Sequence, residues 1–464
     1  MPETLFEKLW GAHVVRAFGD RALIHIDRHL VHEGTSRNAF DGLRQRGRGV
    51  KNLALTFGVI DHDPSTLPGR TAQTYAPSRE RIGAMQDNCR AFGLKLFDVD
   101  DPQQGIVHVI ATELGIVLPG MTVACGDSHT ATSGAVGAWG WGIGTTEVER
   151  VLATQTLLQS KPKTMRANFV GRIGAGVTAK DMILYLIGKY GVAIGTGYAV
   201  EYAGPAIRAL PMEARFTVCN MSIEFGTRSG MIAPDDTTFD YLHGRPYGPQ
   251  GAMWERAVAH WRTLPTADDA TFDRELEVDC DQVTPQVTWG TSPQDVVGVG
   301  EAIPEPSRLP PERRSAAEKS LAYMELAPGM SLVGVPIDYA FIGSCTNSRL
   351  SDLKAAAAVV RGRKVPSSVT AIVVPGSTQV KKAAEAAGLD RIFIEAGFQW
   401  RESGCSMCQT LGGDFVPPGR RCISTSNRNF EDRQGAKSRT HLASPAMVAA
   451  AAVHGHIVDV RQSL

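Results

Sequence analysis

Residues 339–350 read "YAFIGSCTNSRL", a short apolar run that passes through a glycine into small and polar residues. A run of that length with such a boundary reads as a buried strand entering a loop. The cadence recurs in "MTVAC" (121–125), "TMRANFV" (164–170), "TAIVVPG" (370–376), "RIFIEAG" (391–397) and "CISTS" (422–426). Helical patterns lie between such runs, among them "TTEVERVLATQTLLQ" (145–159) and "MILYLIGKYG" (182–191). "SPAMVAAAAVHG" (444–455) closes the series, with Ser444 as N-cap, Pro445 in the first turn and Gly455 as stop. Strand–loop–helix alternation predicts an α/β fold with parallel sheets, whose sites sit at the carboxyl ends of strands. The loops with Asp127, Cys345, Cys405 and Asn427 fall there.

At 464 residues the chain exceeds one ordinary core, so two or three domains are expected. The proline- and charge-rich "GEAIPEPSRLPPERRSAAEKS" (300–320) reads as a solvated connection, which divides the chain into 1–285 and 286–464. No internal sequence repeat is visible. Lys+Arg 48 against Asp+Glu 48 gives no net field to draw in nucleic acid or an anionic membrane. No run of apolar residues is long enough to span a bilayer, so no membrane partner is expected. "MPETLFEKLWGAH" has no export-signal pattern, and Thr4 with Glu7 has the spacing of a capping box. Eight cysteines without such a signal point to a reducing, cytoplasmic setting.

Three of those cysteines stand in two loops, Cys345 in the opening stretch and Cys405 and Cys408 in "ESGCSMCQTL" (402–411). Taken alone, Cys405–Cys408 is a turn with two buried thiols, a redox pair or half a zinc site. Cys125, Cys219 or Cys422 would be available in space to complete a zinc site. Three thiolates on an iron–sulfur cluster would leave one iron open, as Lewis-acid catalysis requires.

The polar residues suggest chemistry of their own. Asp61–His62 is an adjacent carboxylate and imidazole, usually a surface turn, but in a site a pair that keeps histidine protonated. His108 and Asp127 would make a second such pair if two loops bring them together. Ser128 and His129 follow Asp127 in a glycine-flanked loop suited to an anion. Glu224 lies in the apolar "MSIEFG", where a carboxylate is costly unless paired or used. Arg428 and Arg433 follow a strand, and forked guanidinium groups match carboxylates better than lysine does.

"GSCTNSR", "GCSMC" and "STSNRNFEDRQG", in this order, resemble the aconitase superfamily, and within it the isopropylmalate isomerase large subunits. "IDRHLVHEGTS" (26–36), "VIDHDPST" (59–66), "GIVHVI" (105–110), "GDSHTAT" (126–132), "VCNMSIEFG" (218–226), "APDDTTFDY" (233–241) and "PQVTWGTSP" (285–293) match as well, so the likeness covers essentially the whole chain. It implies aconitase-like three-layer α/β domains around a [4Fe-4S] cluster, one per subunit, held by Cys345, Cys405 and Cys408, with one iron not ligated by cysteine. It implies Asp61–His62 as the acid for a departing hydroxyl, and His108, Asp127 and Glu224 as the groups that orient water. His32, Ser128, His129, Arg428 and Arg433 would line a 2-alkylmalate dicarboxylate, with Asn220 and Asn427 beside the cluster. The reaction implied is loss and re-addition of water, a hydro-lyase isomerisation of 2-isopropylmalate to 3-isopropylmalate.

The family's base for the α proton is a serine in a swivelling domain, for which this chain leaves no room. A small subunit that carries this domain is the partner implied. Ser133, Tyr198, Trp139 and Trp141 depart from the usual pattern, which leaves another 2-alkylmalate (2-methylmalate/citraconate or homocitrate) open as substrate. A non-catalytic iron–sulfur or RNA-binding protein is the remaining alternative.

Overall fold

A computed structural model describes residues 2–463. The chain divides into two compact units. The first comprises Met1–Asp63, Ala76–Gly171 and Ala193–Val278, and the second Pro64–Tyr75, Arg172–Val192 and Asp279–Leu464.

The first unit holds a five-stranded sheet in the order Lys95–Phe97, Thr56–Val59, Arg28–His32, Thr122–Cys125, Trp139–Gly142, with every pair parallel. Strands Thr56–Val59 and Thr122–Cys125 are buried at every residue, as a parallel sheet covered on both faces demands. A second sheet, Ser229–Met231, Tyr198–Ala203, Lys163–Val170 and Arg274–Asp279, and a three-stranded antiparallel one complete the unit.

The second unit repeats the five-stranded pattern as Gln399–Trp400, Thr370–Val373, Tyr339–Ile342, Arg421–Ser424, Arg439–Leu442, again parallel throughout. In both sheets the first strand in sequence is central, the next two lie to one side and the last two to the other. The winding therefore reverses beside the central strand, where ligand crevices form. A structural repeat is present although no sequence repeat announces it.

The α/β expectation holds, as do the Thr4–Glu7 capping box and the helix Pro445–His454 with Gly455 in the left-handed conformation after it. That helix is buried from Pro445 to Ala452, and its alanines let it lie close against the helix Leu350–Val360. Three readings are corrected. "RIFIEAG" is the end of a helix, Leu389–Ala396, because Leu389, Phe393 and Ala396 fall on one buried helical face. Helix Thr145–Thr154 stops at Gln155, which turns left-handed, and Thr156–Ser160 is a strand. The proline-rich connection is helical over Pro311–Met324, with Ala317, Leu321 and Met324 buried.

Candidate functional site

In the first unit, strand ends deliver the polar residues. His32 ends the central strand and caps the helix Glu33–Gln45, its ring accepting from Gly34 N–H. Asp61 and His62 follow Thr56–Val59, and Asp127 follows Thr122–Cys125 and caps the 3₁₀ run Ser128–Val136. Gly126 is required there, since a Cβ would strike Thr35 beside His32.

Asp127 is the hub. Its carboxylate lies 3.1 Å from His62 Nε2, 3.0 Å from His108 Nε2 and 3.3 Å from His129 Nδ1. Outward from the hub, His62 Nδ1 is 2.6 Å from Asp61 Oδ1, and His129 Nε2 is 3.1 Å from Glu224 Oε1. Asp61 Oδ2 accepts the backbone N–H of Val107 at 2.8 Å, which ties the start of helix Val107–Glu113, and so His108, to the same loop. His32 stacks on His62 with ring centroids 4.6 Å apart.

Burial alone would strip these groups of charge, but opposite charges at contact distance outweigh it. His62 is thereby held well above the usual imidazole value by Asp61 and Asp127, and His129 is raised to about 9 by Glu224 and Asp127. Asp127 is held well below the carboxylate range against its burial, by His108 first, and Asp61 is lowered by His62. His32 moves the other way, lowered by burial and by the neighbouring His62. Protonated imidazole on ionised carboxylate is the arrangement that results.

The remaining expected residues of this unit lie close by. Ser128 is half-buried at the start of the 3₁₀ run, and Asn220, at the end of helix Met212–Asn220, donates to Thr132 Oγ1 at 2.8 Å. Trp139 and Trp141 are buried and stacked at 4.3 Å, and with Tyr198, Lys161 and Arg228 they line a cavity of about 250 Å³.

One residue of this unit escaped sequence reasoning. Glu33, buried, takes the N–H groups of Asp61, His62 and Asp63 on Oε1 at 3.2, 2.7 and 2.7 Å. Its partners are backbone, which no side-chain pattern signals.

In the second unit, Cys345 follows Tyr339–Ile342, Cys405 and Cys408 flank one 3₁₀ turn, and Asn427 and Arg428 follow Arg421–Ser424. Asn427 Nδ2 donates to Cys345 Sγ at 3.5 Å, while Ser344 Oγ and Arg433 Nη2 approach Cys408 Sγ at 3.4 and 3.8 Å. Arg433 also lies over the Phe430 ring. Lys180, fully buried, donates to the carbonyls of Thr425 at 2.9 Å and Ser426 at 2.6 Å, directly before Asn427. It too was not foreseen, for the same reason as Glu33.

The cofactor expectation is corrected. Among the described residues, the group of His, Cys, Asp and Glu side chains whose ligand atoms converge within 4.8 Å is His32, Glu33, Asp61 and His62, and it contains no thiol. Cys345 and Cys408 are instead engaged by amide, hydroxyl and guanidinium groups. The [4Fe-4S] assignment to Cys345, Cys405 and Cys408 therefore fails. All eight cysteines are free and buried. No helix among the described residues is long and apolar enough to cross a membrane.

Comparison with known proteins adds lineage to this geometry. Residues 7–455 match the family described as "Aconitase family (aconitate hydratase)". The 3-isopropylmalate dehydratase large subunit 1 of Bradyrhizobium diazoefficiens is 57% identical over 461 residues, 99% of this chain and 96% of that protein. The crystal structure of Thermococcus kodakaraensis aconitase X in its holo-form is similar at 12% identity and a TM-score of 0.48, covering 92% of this chain and 88% of that one. A family match that runs through both units, with such a relative over nearly the full length, places the chain in the aconitase family.

Proposed function

We propose that the chain is the large subunit of a hydro-lyase that isomerises 2-isopropylmalate to 3-isopropylmalate by dehydration and rehydration, in leucine biosynthesis. The observation that carries this reading is the 57% identity over 99% of the chain to a 3-isopropylmalate dehydratase large subunit. The loops of residues 1–285 supply the proton chemistry. Hydroxide is a poor leaving group, and His62, kept protonated between Asp61 and Asp127, is the acid that turns it into water. His108 and Glu224, on either side of the Asp127–His129 pair, orient the departing or returning water. His32, Ser128 and His129 hold substrate.

Within residues 286–464, Arg428 and Arg433 are assigned to the substrate carboxylates, with Asn427 supporting their loop. Arg433 supports this reading because its guanidinium rests on an aromatic face and its Nε makes no hydrogen bond, which leaves that edge for a carboxylate while Nη2 meets Cys408 Sγ. A small subunit with the base for the α proton is the proposed partner. A cytoplasmic setting is supported by eight reduced cysteines.

The test is turnover by the chain co-expressed with a small subunit, offered 2-isopropylmalate, 2-methylmalate, citrate and homocitrate. The highest kcat/KM is expected with 2-isopropylmalate. Preference for another of the four would overturn the substrate, and turnover by the large chain alone would overturn the division of labour.

A further inference from the structure

Glu33 sits where a charge is expensive. It is 3% exposed, its neighbours Asp61 and Asp63 are also acids, and burial with those two charges pushes its carboxyl up to about 7. Three consecutive backbone N–H groups, those of Asp61, His62 and Asp63, nevertheless converge on its Oε1. Three amides in a row pointing inward make a concave anion nest, and the anion here is a side chain from the helix that starts on the central strand. The far end of the same loop is fastened separately, by Arg81 and Ser78 on the Asp63 carboxylate. Both anchors hold the chain next to His62.

We propose that Glu33 is a positioning residue for the reaction, which aims His62 by holding the 61–63 backbone rather than by touching substrate. The inference rests on the reading of His62 as the acid. His62 Nε2, which rests on Asp127 Oδ2 at 3.1 Å, must be handed to one oxygen of the substrate while Nδ1 stays on Asp61 Oδ1 at 2.6 Å, so a shift of the loop by a fraction of an ångström uncouples the two. Displacements near 1 Å cost on the order of a hundredfold in rate. The carboxylate is suited to this because an ionised oxygen accepts hydrogen bonds more strongly than a neutral one, and the three amides on it work against the burial that pushes its carboxyl up. A glutamine of the same shape could keep its carbonyl oxygen under the three amides, but it would lose the negative charge and put an NH2 where Asp61 N–H also approaches Oε2 at 3.4 Å.

The experiment uses the large chain with its small subunit and compares wild type, Glu33→Gln and Glu33→Asp. Amide hydrogen exchange is read over the segment 59–66, and kcat and KM are read on 2-isopropylmalate. In Glu33→Gln the amides of Asp61, His62 and Asp63 should exchange at least roughly tenfold faster and kcat should fall roughly ten- to a hundredfold with KM within about threefold. Glu33→Asp keeps the charge but shortens the reach, should fall between the two, and decides the matter if the glutamine variant does not fold.

Unchanged exchange at those three amides overturns the proposal, whatever the rate does. Faster exchange with an unchanged kcat, or a rise in KM alone, overturns the positioning role. If wild type turns over no 2-alkylmalate, the functional reading fails while the exchange arm still decides whether Glu33 holds the loop.

Discussion

The two five-stranded parallel sheets share one winding order and the same reversal beside the central strand, but what they hold at that reversal differs in kind. In the first unit the loops are fixed by charge. Three histidines meet one aspartate, two further carboxylates back them, and Glu33 gathers three amides from below. In the second unit the loops are fixed by backbone geometry. Ser344, Ser406 and Thr410 take left-handed conformations with φ of 77°, 49° and 58°, a state that non-glycine residues adopt at a cost of about 1–3 kcal/mol each. Gln155, in the first unit, is the one described non-glycine residue there with positive φ. One topology thus holds two kinds of preorganisation. Charge pairs tune protonation states, whereas a strained backbone, braced by the Lys180 cation on the carbonyls of Thr425 and Ser426, presents thiols and arginines in a fixed direction.

The sharpest way to break the charged side is at its hub. Asp127→Asn keeps the shape and removes the charge that His62, His108 and His129 share. We expect kcat/KM to fall by roughly a thousandfold, within the range of a lost acid–base function. The fold should survive, because the amide still reaches the capped N–H of His129. Steady-state kinetics with a thermal melt check both halves. A loss under about tenfold would mean that the network is structural rather than functional.

On the second unit the matching test is Lys180→Met. Lys180 is the second residue of helix Ala179–Tyr190, the positive end of the helix dipole and a poor place for a cation. The carbonyls of Thr425 and Ser426 compensate for that placement. Methionine fills the volume and leaves both carbonyls without this donor, a loss of about 3 kcal/mol from two buried groups at roughly 1–3 each. Chemical denaturation measures it. A change below about 1 kcal/mol would show that the loop before Asn427 is held by its own backbone.

How much of this was legible beforehand follows the same division. Asp61 with His62, and the loop with Asp127, were readable because side chain meets side chain between residue types with known chemistry. Glu33 and Lys180 were not, since each works on backbone atoms that every residue carries. The winding of the sheets was readable as a class from strand–loop–helix alternation, but not the helix at 389–396. There a short apolar run fits strand and helix alike, and only burial of one face decides. The thiols misled through their number and spacing. A count of three does not fix where sulfurs point, and in the structure Cys345 and Cys408 have hydrogen-bond donors as neighbours.

The smallest effect separates the units by a pair of buried histidines. His29, on the central strand of the first unit, is lowered to about 3 by burial, and neither ring nitrogen has a hydrogen-bond partner. His441, on the last strand of the second unit, is also lowered to about 3, by burial and then by the Arg421 cation. Unlike His29 it is fully engaged. Arg421 donates to Nε2 at 2.9 Å, which assigns the proton to Nδ1, and Nδ1–H donates to Thr288 O at 2.5 Å. For both, the folded value lies below the ordinary 6.5, so the unfolded chain takes up a proton that the folded chain refuses. The associated stability is present above about pH 6.5 and is lost as pH falls toward the folded value. Each histidine should contribute about 1 kcal/mol of destabilisation between about pH 7 and 5.5. His29→Leu should remove that loss and cost nothing at neutral pH, because no bond is cut. His441→Leu should remove it too, but at neutral pH it leaves Arg421 and Thr288 without their partner and lowers stability by about 1–3 kcal/mol. Denaturation midpoints at the two pH values, for both variants, read the difference directly. Equal behaviour of the two would mean that His29 has a polar partner after all, and the contrast between an idle and an engaged buried imidazole would collapse.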